Sequence, residues 1–303
     1  MAVISTGNFP KELRPGVFSF TQMEYEEHKA FWPKMFEAKE SNMQYEELVS
    51  GNTFGLAQAK SPGDKVKFAS ESQGAVTRAT HVLYALGYII TLEESRYNLY
   101  EKLGKQRGSR LAKAFPRTKD TVATNVYNRA FTSGYTFGDG VVLCSTAHPS
   151  LNGNYSNTLA VAADMSEASV EDLLTAIASA TDNVGNKINL QAKNMMYAPS
   201  NIFTAERILG SELQNDTANN SINAMKSLGS IPEHFHNPYL TNSDAWFIRT
   251  DIGSDDGLVC FDSIPFEIQM DNDSDTLNEK HIAFQGYSFT IGDPRAVYGS
   301  QGV

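Results

Sequence analysis

The chain has 303 residues, 41% of them apolar, which is enough for a substantial core and excludes wholesale disorder. With 25 Lys and Arg against 35 Asp and Glu its formal charge is −10, which argues against an outer surface that binds nucleic acid throughout. Two cysteines, Cys144 and Cys260, cannot make a disulfide framework and fit a reducing compartment. No apolar run is long enough to span a membrane, so no membrane partner is expected. Met1 to Phe9 does not read as a secretory leader.

Residues 1–50 read as an arm. Pro10, Pro15 and Gly16 break its start, and the polar stretch from Tyr25 to Leu48 is expected to be helical. Its aromatics, Phe18, Phe20, Phe31, Trp32 and Phe36, need an outside surface for burial. Residues 51–90 read as a long hairpin, with Lys65–Phe68 and Val82–Tyr84 as β-prone runs and Ser61-Pro62-Gly63-Asp64 as a turn. Such a hairpin is not stable alone in water, so it too needs an external surface.

From Leu92 to Phe131, apolar residues at Leu92, Leu99, Leu103, Leu111, Phe115, Val122 and Val126 keep helical spacing. Thr91 with Glu93 and Glu94 forms a plausible cap, and Pro116 should kink one long helix. Arg107 and Lys119 fill gaps in the apolar stripe. This stretch holds nine basic residues and four acids, so it carries +5 while the rest of the chain carries −15. Lys102, Lys105, Arg107, Arg110, Lys113, Arg117 and Lys119 form a candidate basic stripe, for phosphate or for the acidic surface of a neighbouring chain.

Beyond Gly134 the pattern is mixed. Strands are expected at Val141–Cys144, Asn194–Ala198, Ala245–Ile248 and Leu258–Phe261. Helices are expected after Asp164-Met165-Ser166-Glu167 and over Ser200–Leu209, the second capped by Gly210. Two β-rich runs, Phe266–Met270 and Ile282–Ile291, flank an acidic loop holding Asp271, Asp273, Asp275 and Glu279.

None of these segments assembles an active site. The acidic loop imitates a calcium loop but has Thr276 where Gly is required and Ile282 where a bidentate Glu is required. His234 and His236 have Pro232 and Pro238 around them and read as a loop. Cys144 and His148, the basis of a hydrolase alternative, read as a buried thiol and a turn histidine, and Gly138-Asp139-Gly140 reads as a turn. Phosphate-cradling and nucleophile-elbow sequences are absent, so neither a catalytic residue nor a cofactor or metal is expected.

Several longer motifs point elsewhere. Ala130-Phe131 through Gly138-Asp139-Gly140 and Leu143–Pro149, then Ala205–Ser211, Asn237–Thr241 and Asp244–Ile248, resemble the Mu-like major head subunits of tailed phages. Met270–Asp273, Asp293-Pro294-Arg295 and Tyr298-Gly299-Ser300 continue the resemblance, which runs from about residue 80 to the C-terminus. It implies an α+β protein of the Hong Kong 97-type capsid fold. The implied parts are an N-terminal arm (1–50), an E-loop hairpin (51–90) and a spine helix of the P-domain (91–134). An A-domain (135–262), P-domain strands with a P-loop (263–292) and a C-terminal segment (293–303) complete it. The arm begins at Met1 without the helical scaffolding region that some relatives carry.

The resemblance also implies a function: hexamers and pentamers of the chain closing into an icosahedral shell around double-stranded DNA. The place would be the virion, with the host cytoplasm during assembly. Partners would be further copies, a portal, and scaffold or decoration proteins, with non-specific contact to DNA. Lys60, Pro62, Gly63, Asp64, Lys65 and Lys67 would lie on the E-loop, in contact with a neighbouring copy. An encapsulin-like nanocompartment is the alternative on the same fold.

Overall fold

The computed structural model describes residues 25, 28–51, 54–69, 73–96, 100–214, 221–253, 257–273 and 275–303, with backbone alone at 51, 95, 96 and 100–105. Phe18, Phe20 and the side chains of Leu99, Leu103, Lys102 and Lys105 lie outside the described residues.

Two four-stranded sheets share one core. In the first, β1 (Glu37–Glu40) runs parallel to β8 (Leu258–Asn272), which pairs antiparallel with β9 (Glu279–Ile291) and through it with β4 (Val82–Ile90). The second has the order β10 (Val297–Ser300), β7 (Trp246–Thr250), β5 (Ala192–Tyr197), β6 (Glu233–His236). β2 (Tyr45–Gly51) and β3 (Gln73–Thr80) form a separate antiparallel hairpin.

A helix at Tyr100–Asn128 covers one face of the first sheet, where Leu111 and Phe115 pack with Ala283, Phe266, Ile268 and Tyr88. A short helix at Leu92–Arg96 precedes it, with Glu94 N–H donating to Thr91 Oγ1 as the cap requires. The long helix runs through Pro116, and Thr118, Thr121 and Thr124 each donate a hydroxyl to the carbonyl four residues back. The second sheet is covered by the helix Glu167–Ala178, whose Ser166 completes a capping box with Ser169. Val170, Leu173 and Ile177 bury its apolar side against Met195, Trp246, Ile248 and Tyr298. Between the sheets lies a junction of Phe36, Tyr127, Leu143, Phe247, Leu258, Cys260 and Ile291.

Several expectations change. Tyr25–Leu48 is not one helix: among its described residues Tyr25 and Trp32–Met35 are helical, and β1 and β2 follow, because the alternating burial of Glu37–Glu40 suits a sheet edge. Lys65–Phe68 forms no strand. Val141–Cys144 contributes an isolated bridge, Thr136 with Val142, rather than a strand. Ser200–Leu209 is broken into a 3₁₀ turn, a four-residue α-helix and a π turn ending at Gly210.

The expected segment boundaries also shift. β2 belongs with the hairpin, β4 leaves it for the first sheet, and β10 joins the second sheet. Leu258–Phe261 and Phe266–Met270, expected as two strands, are one strand that crosses the expected 262/263 boundary. Its register slips between Asp262 and Ile264 and again between Ile264 and Glu267, so Pro265 sits where the ladder is already interrupted. Burial follows the same division: Leu258–Phe261 is buried throughout, whereas exposure alternates from Glu267 onward.

Phe36→Ala removes a ring packed on Tyr127 and Phe289, with centroids 6.0 and 4.8 Å away. Urea denaturation should show a loss of about 3–5 kcal/mol.

Candidate functional site

Assembly surfaces are built from apolar and charged groups that a chain leaves uncovered. Residues 54–69 are exposed throughout, including Phe54, Leu56, Val66 and Phe68, the last at 94%. Within them Asp64 N–H donates to the Ser61 carbonyl at 3.1 Å and Gly63 has φ +89°, the turn that Pro62-Gly63 favours. Lys60, Asp64, Lys65 and Lys67 surround it, and Lys67 donates to Gln58 Oε1.

β4 is the edge of the first sheet, and its outward face carries Leu83 and Ile89 exposed, with Ile282 beside them on β9. The opposite face carries the long helix, so among the described residues one side of this sheet is covered there and apolar side chains are left on the other.

The long helix divides the candidate basic stripe. Arg110, Lys113 and Arg117 are exposed and spaced three and four residues apart, so they share one face. Arg107 instead pairs with Glu94 through both guanidinium nitrogens at 2.9 Å and reaches the Ile89 carbonyl. Lys119 does not belong to an outward stripe. Its side chain is 3% exposed, its Nζ lies 2.6 Å from Asp262 Oδ1, and Trp32 and Tyr287 rings stand 4.1 and 5.2 Å away. Lys119 thus points inward to Asp262 and Arg107 sideways to Glu94, each turned by its partner.

Asp120, absent from the sequence-based candidates, anchors the arm. Its buried carboxylate accepts the backbone N–H groups of Phe31 and Trp32 at 2.9 Å each, and His28 Nε2 lies 3.1 Å from Oδ2. Its signal in the sequence is its isolation: it is the first acid after Glu101 in a basic run, next to another stripe-filling charge.

The acidic loop is partly neutralised from within. Lys280 Nζ lies 2.8 Å from Asp273, holding that carboxyl down at about 2, while Asp271 and Asp275 are exposed. Glu279 is half-buried, 3.9 Å from His281. Among the described residues no group of three or more His, Cys, Asp or Glu could hold a metal ion. Cys144 is buried, which pushes its thiol up. His148 turns to Asp139 and Asn157 rather than to the thiol, so a thiol–imidazole pair is not formed.

The profile of the phage capsid protein family matches residues 76–300. Solved structures with the same fold include the virus-like particle from Pyrococcus furiosus, at 8% identity and TM-score 0.56, covering 93% of this chain and 96% of that one. The capsid of Myoviridae phage XM1 is similar at 10% identity and TM-score 0.54, covering 89% of each chain. Mycobacterium phage Che8 is similar at 12% identity and TM-score 0.52, covering 89% and 90%. No curated protein matches by sequence. The fold is the Hong Kong 97-type capsid fold. The chain belongs to the phage capsid protein family: it is a structural subunit of the virion shell, not an enzyme. No described helix is long and apolar enough to cross a membrane.

The buried charges can be tested directly. Asp120→Ala orphans the Phe31 and Trp32 N–H groups, at about 1–3 kcal/mol for each, and should expose the arm to limited proteolysis near Trp32. His281 is buried against Tyr88, and desolvation lowers its pKa from the ordinary 6.5. The unfolded ring therefore takes up a proton first, so stability falls as pH drops through about 6.5. Thermal melts of the isolated subunit should show that loss, and His281→Gln should flatten it.

Proposed function

We propose that the chain is the major head subunit of a Mu-like tailed phage. Copies assemble as hexamers and pentamers into an icosahedral shell around double-stranded DNA. The hairpin and loop 54–69 act as the E-loop and lie on a neighbouring subunit. The first sheet with its long helix forms the P-domain, and the second sheet forms the A-domain around the symmetry axes. The observation that carries this reading is the apolar surface left uncovered by the chain itself: Phe54, Leu56, Val66 and Phe68 on the loop, and Leu83 and Ile89 on the sheet. Burying it between copies contributes about 25 cal/mol per Å² and closes the exposed β4 edge.

Closed symmetry makes every such surface meet its complement, which prevents open-ended aggregation. The family match supports the phage shell over the nanocompartment, which shares only the fold. A portal and scaffold or decoration proteins complete the head. The exposed ridge Arg110, Lys113 and Arg117 contacts acids of an adjacent subunit, with Asp271 and Asp275 the nearest in chemistry. The overall charge of −10 supports that over a dense DNA-binding lining, from which DNA would leave slowly.

Deleting residues 56–67 should leave a folded subunit, by circular dichroism and thermal melting, that forms no shells under the electron microscope; intact shells would overturn the role given to the loop. Reversing charge at Lys113 and Arg117 should impair assembly even with no DNA present, and normal empty shells would refute the contact between subunits.

A further inference from the structure

The Gly138-Asp139-Gly140 turn has no task in the sequence reading, yet it meets the hairpin at its root. Gly138 N–H donates to Thr77 Oγ1 at 3.1 Å. A Cβ on Gly138 would collide with the Val76 carbonyl oxygen and lie 2.6 Å from Thr77 Oγ1, so only glycine lets β3 come this close. Gly140, at φ +79°, closes the turn by donating its N–H to the Phe137 carbonyl.

The turn is held from behind by a buried polar column. Asp139 Oδ1 accepts the Val141 N–H at 3.0 Å, and Oδ2 lies 2.6 Å from His148 Nδ1. The His148 ring is fully buried, stacked on Tyr155, with Nε2 3.0 Å from Asn157 Oδ1. Asn157 Oδ1 also accepts the Ser145 N–H, while its Nδ2 donates to the carbonyls of Leu143, Pro294 and Val297. Every polar atom of that amide is engaged, its two N–H bonds shared among three carbonyls, which ties the column to Leu143, Pro294 and Val297.

Other packing on the hairpin lies at its root, where Leu48 and Ala79 meet Val259 and Phe261, and one exposed hydrogen bond reaches beyond it, from Asn186 Nδ2 of the body to the Phe54 carbonyl at 3.3 Å. Beyond Val76 the hairpin borders a cleft of about 360 Å³ that separates Ser50, Gln73 and Gly74 from Leu151 and Arg295 of the body. The strand register also slips there, between Val49 and Gly51. The Asn186 contact is a single exposed hydrogen bond across an open cleft, so among the described residues the contact braced from within the body is that of Gly138 with Thr77.

We propose that the Gly138 turn, braced by Asp139, His148 and Asn157, is the positioning seat of the hairpin, fixing the angle at which it reaches a neighbouring subunit. Its consequence for assembly rests on the reading of the hairpin as a clasp between subunits. The seat is tested separately in the isolated full-length chain, by the distance between spin labels placed at the exposed positions Gln73 and Glu171. Gly138→Ala should shift or broaden that distance and abolish shells, while near-ultraviolet circular dichroism stays native. Thr77→Val, which removes only the hydroxyl acceptor, should move the distance the same way, and Thr77→Ser should restore it; this pair decides the matter if Gly138→Ala fails to fold. An unchanged distance in Gly138→Ala, or in Thr77→Val, overturns the seat. A shifted distance with normal shells upholds the seat and overturns the clasp.

Discussion

The constraint on which the rest depends is that the described residues of this chain leave apolar surface uncovered. A loop with Phe54, Leu56, Val66 and Phe68 all exposed has no side of its own on which to fold. A sheet that seats a helix on one face and leaves Leu83 and Ile89 on the other is half a layer pair. Both are stable in water only because the two packed regions behind them supply the folding energy. The outlying parts are carried rather than self-supporting, and on the proposed reading other copies cover them.

That arrangement needs firm attachment where the limbs leave the body, and buried charge is concentrated there. Asp120 ties down the arm through two backbone N–H groups, and Lys119 beside it is neutralised by Asp262 beneath Trp32. Asp139 with His148 braces the turn against the hairpin. A buried charge is costly unless it is paired and hydrogen-bonded, and a partly satisfied one would give way, so each site holds one geometry. Apolar packing alone would tolerate small slips at these junctions. A shell repeating one subunit many times tolerates fewer.

The parts of this fold that are legible in the sequence are those with strong local chemistry. Thr91 and Ser166 caps, the Pro62-Gly63 turn and the helical run through Leu111 and Phe115 follow from short-range rules. The arm reads as helical, against the structure, because β1 takes its strand character from pairing with β8, more than two hundred residues away in the chain. The single strand β8 reads as two because Asp262 and Pro265 interrupt its apolar run, and only its partner β9 shows that the ladder passes over them. The basic stripe is legible in composition but not in direction: Arg107 and Lys119 sit on faces set by tertiary contacts. Gly138 is legible only as part of a turn, since its close approach to Val76 and Thr77 comes from a distant segment.

Hydrogen exchange on residues 54–69, compared between the isolated subunit and the assembled shell, tests the central claim most directly. Amides that exchange freely in the subunit and become protected only in the shell are the predicted result. Equal protection of those amides in a lone subunit would contradict the account, because the loop would then have found its cover within its own chain.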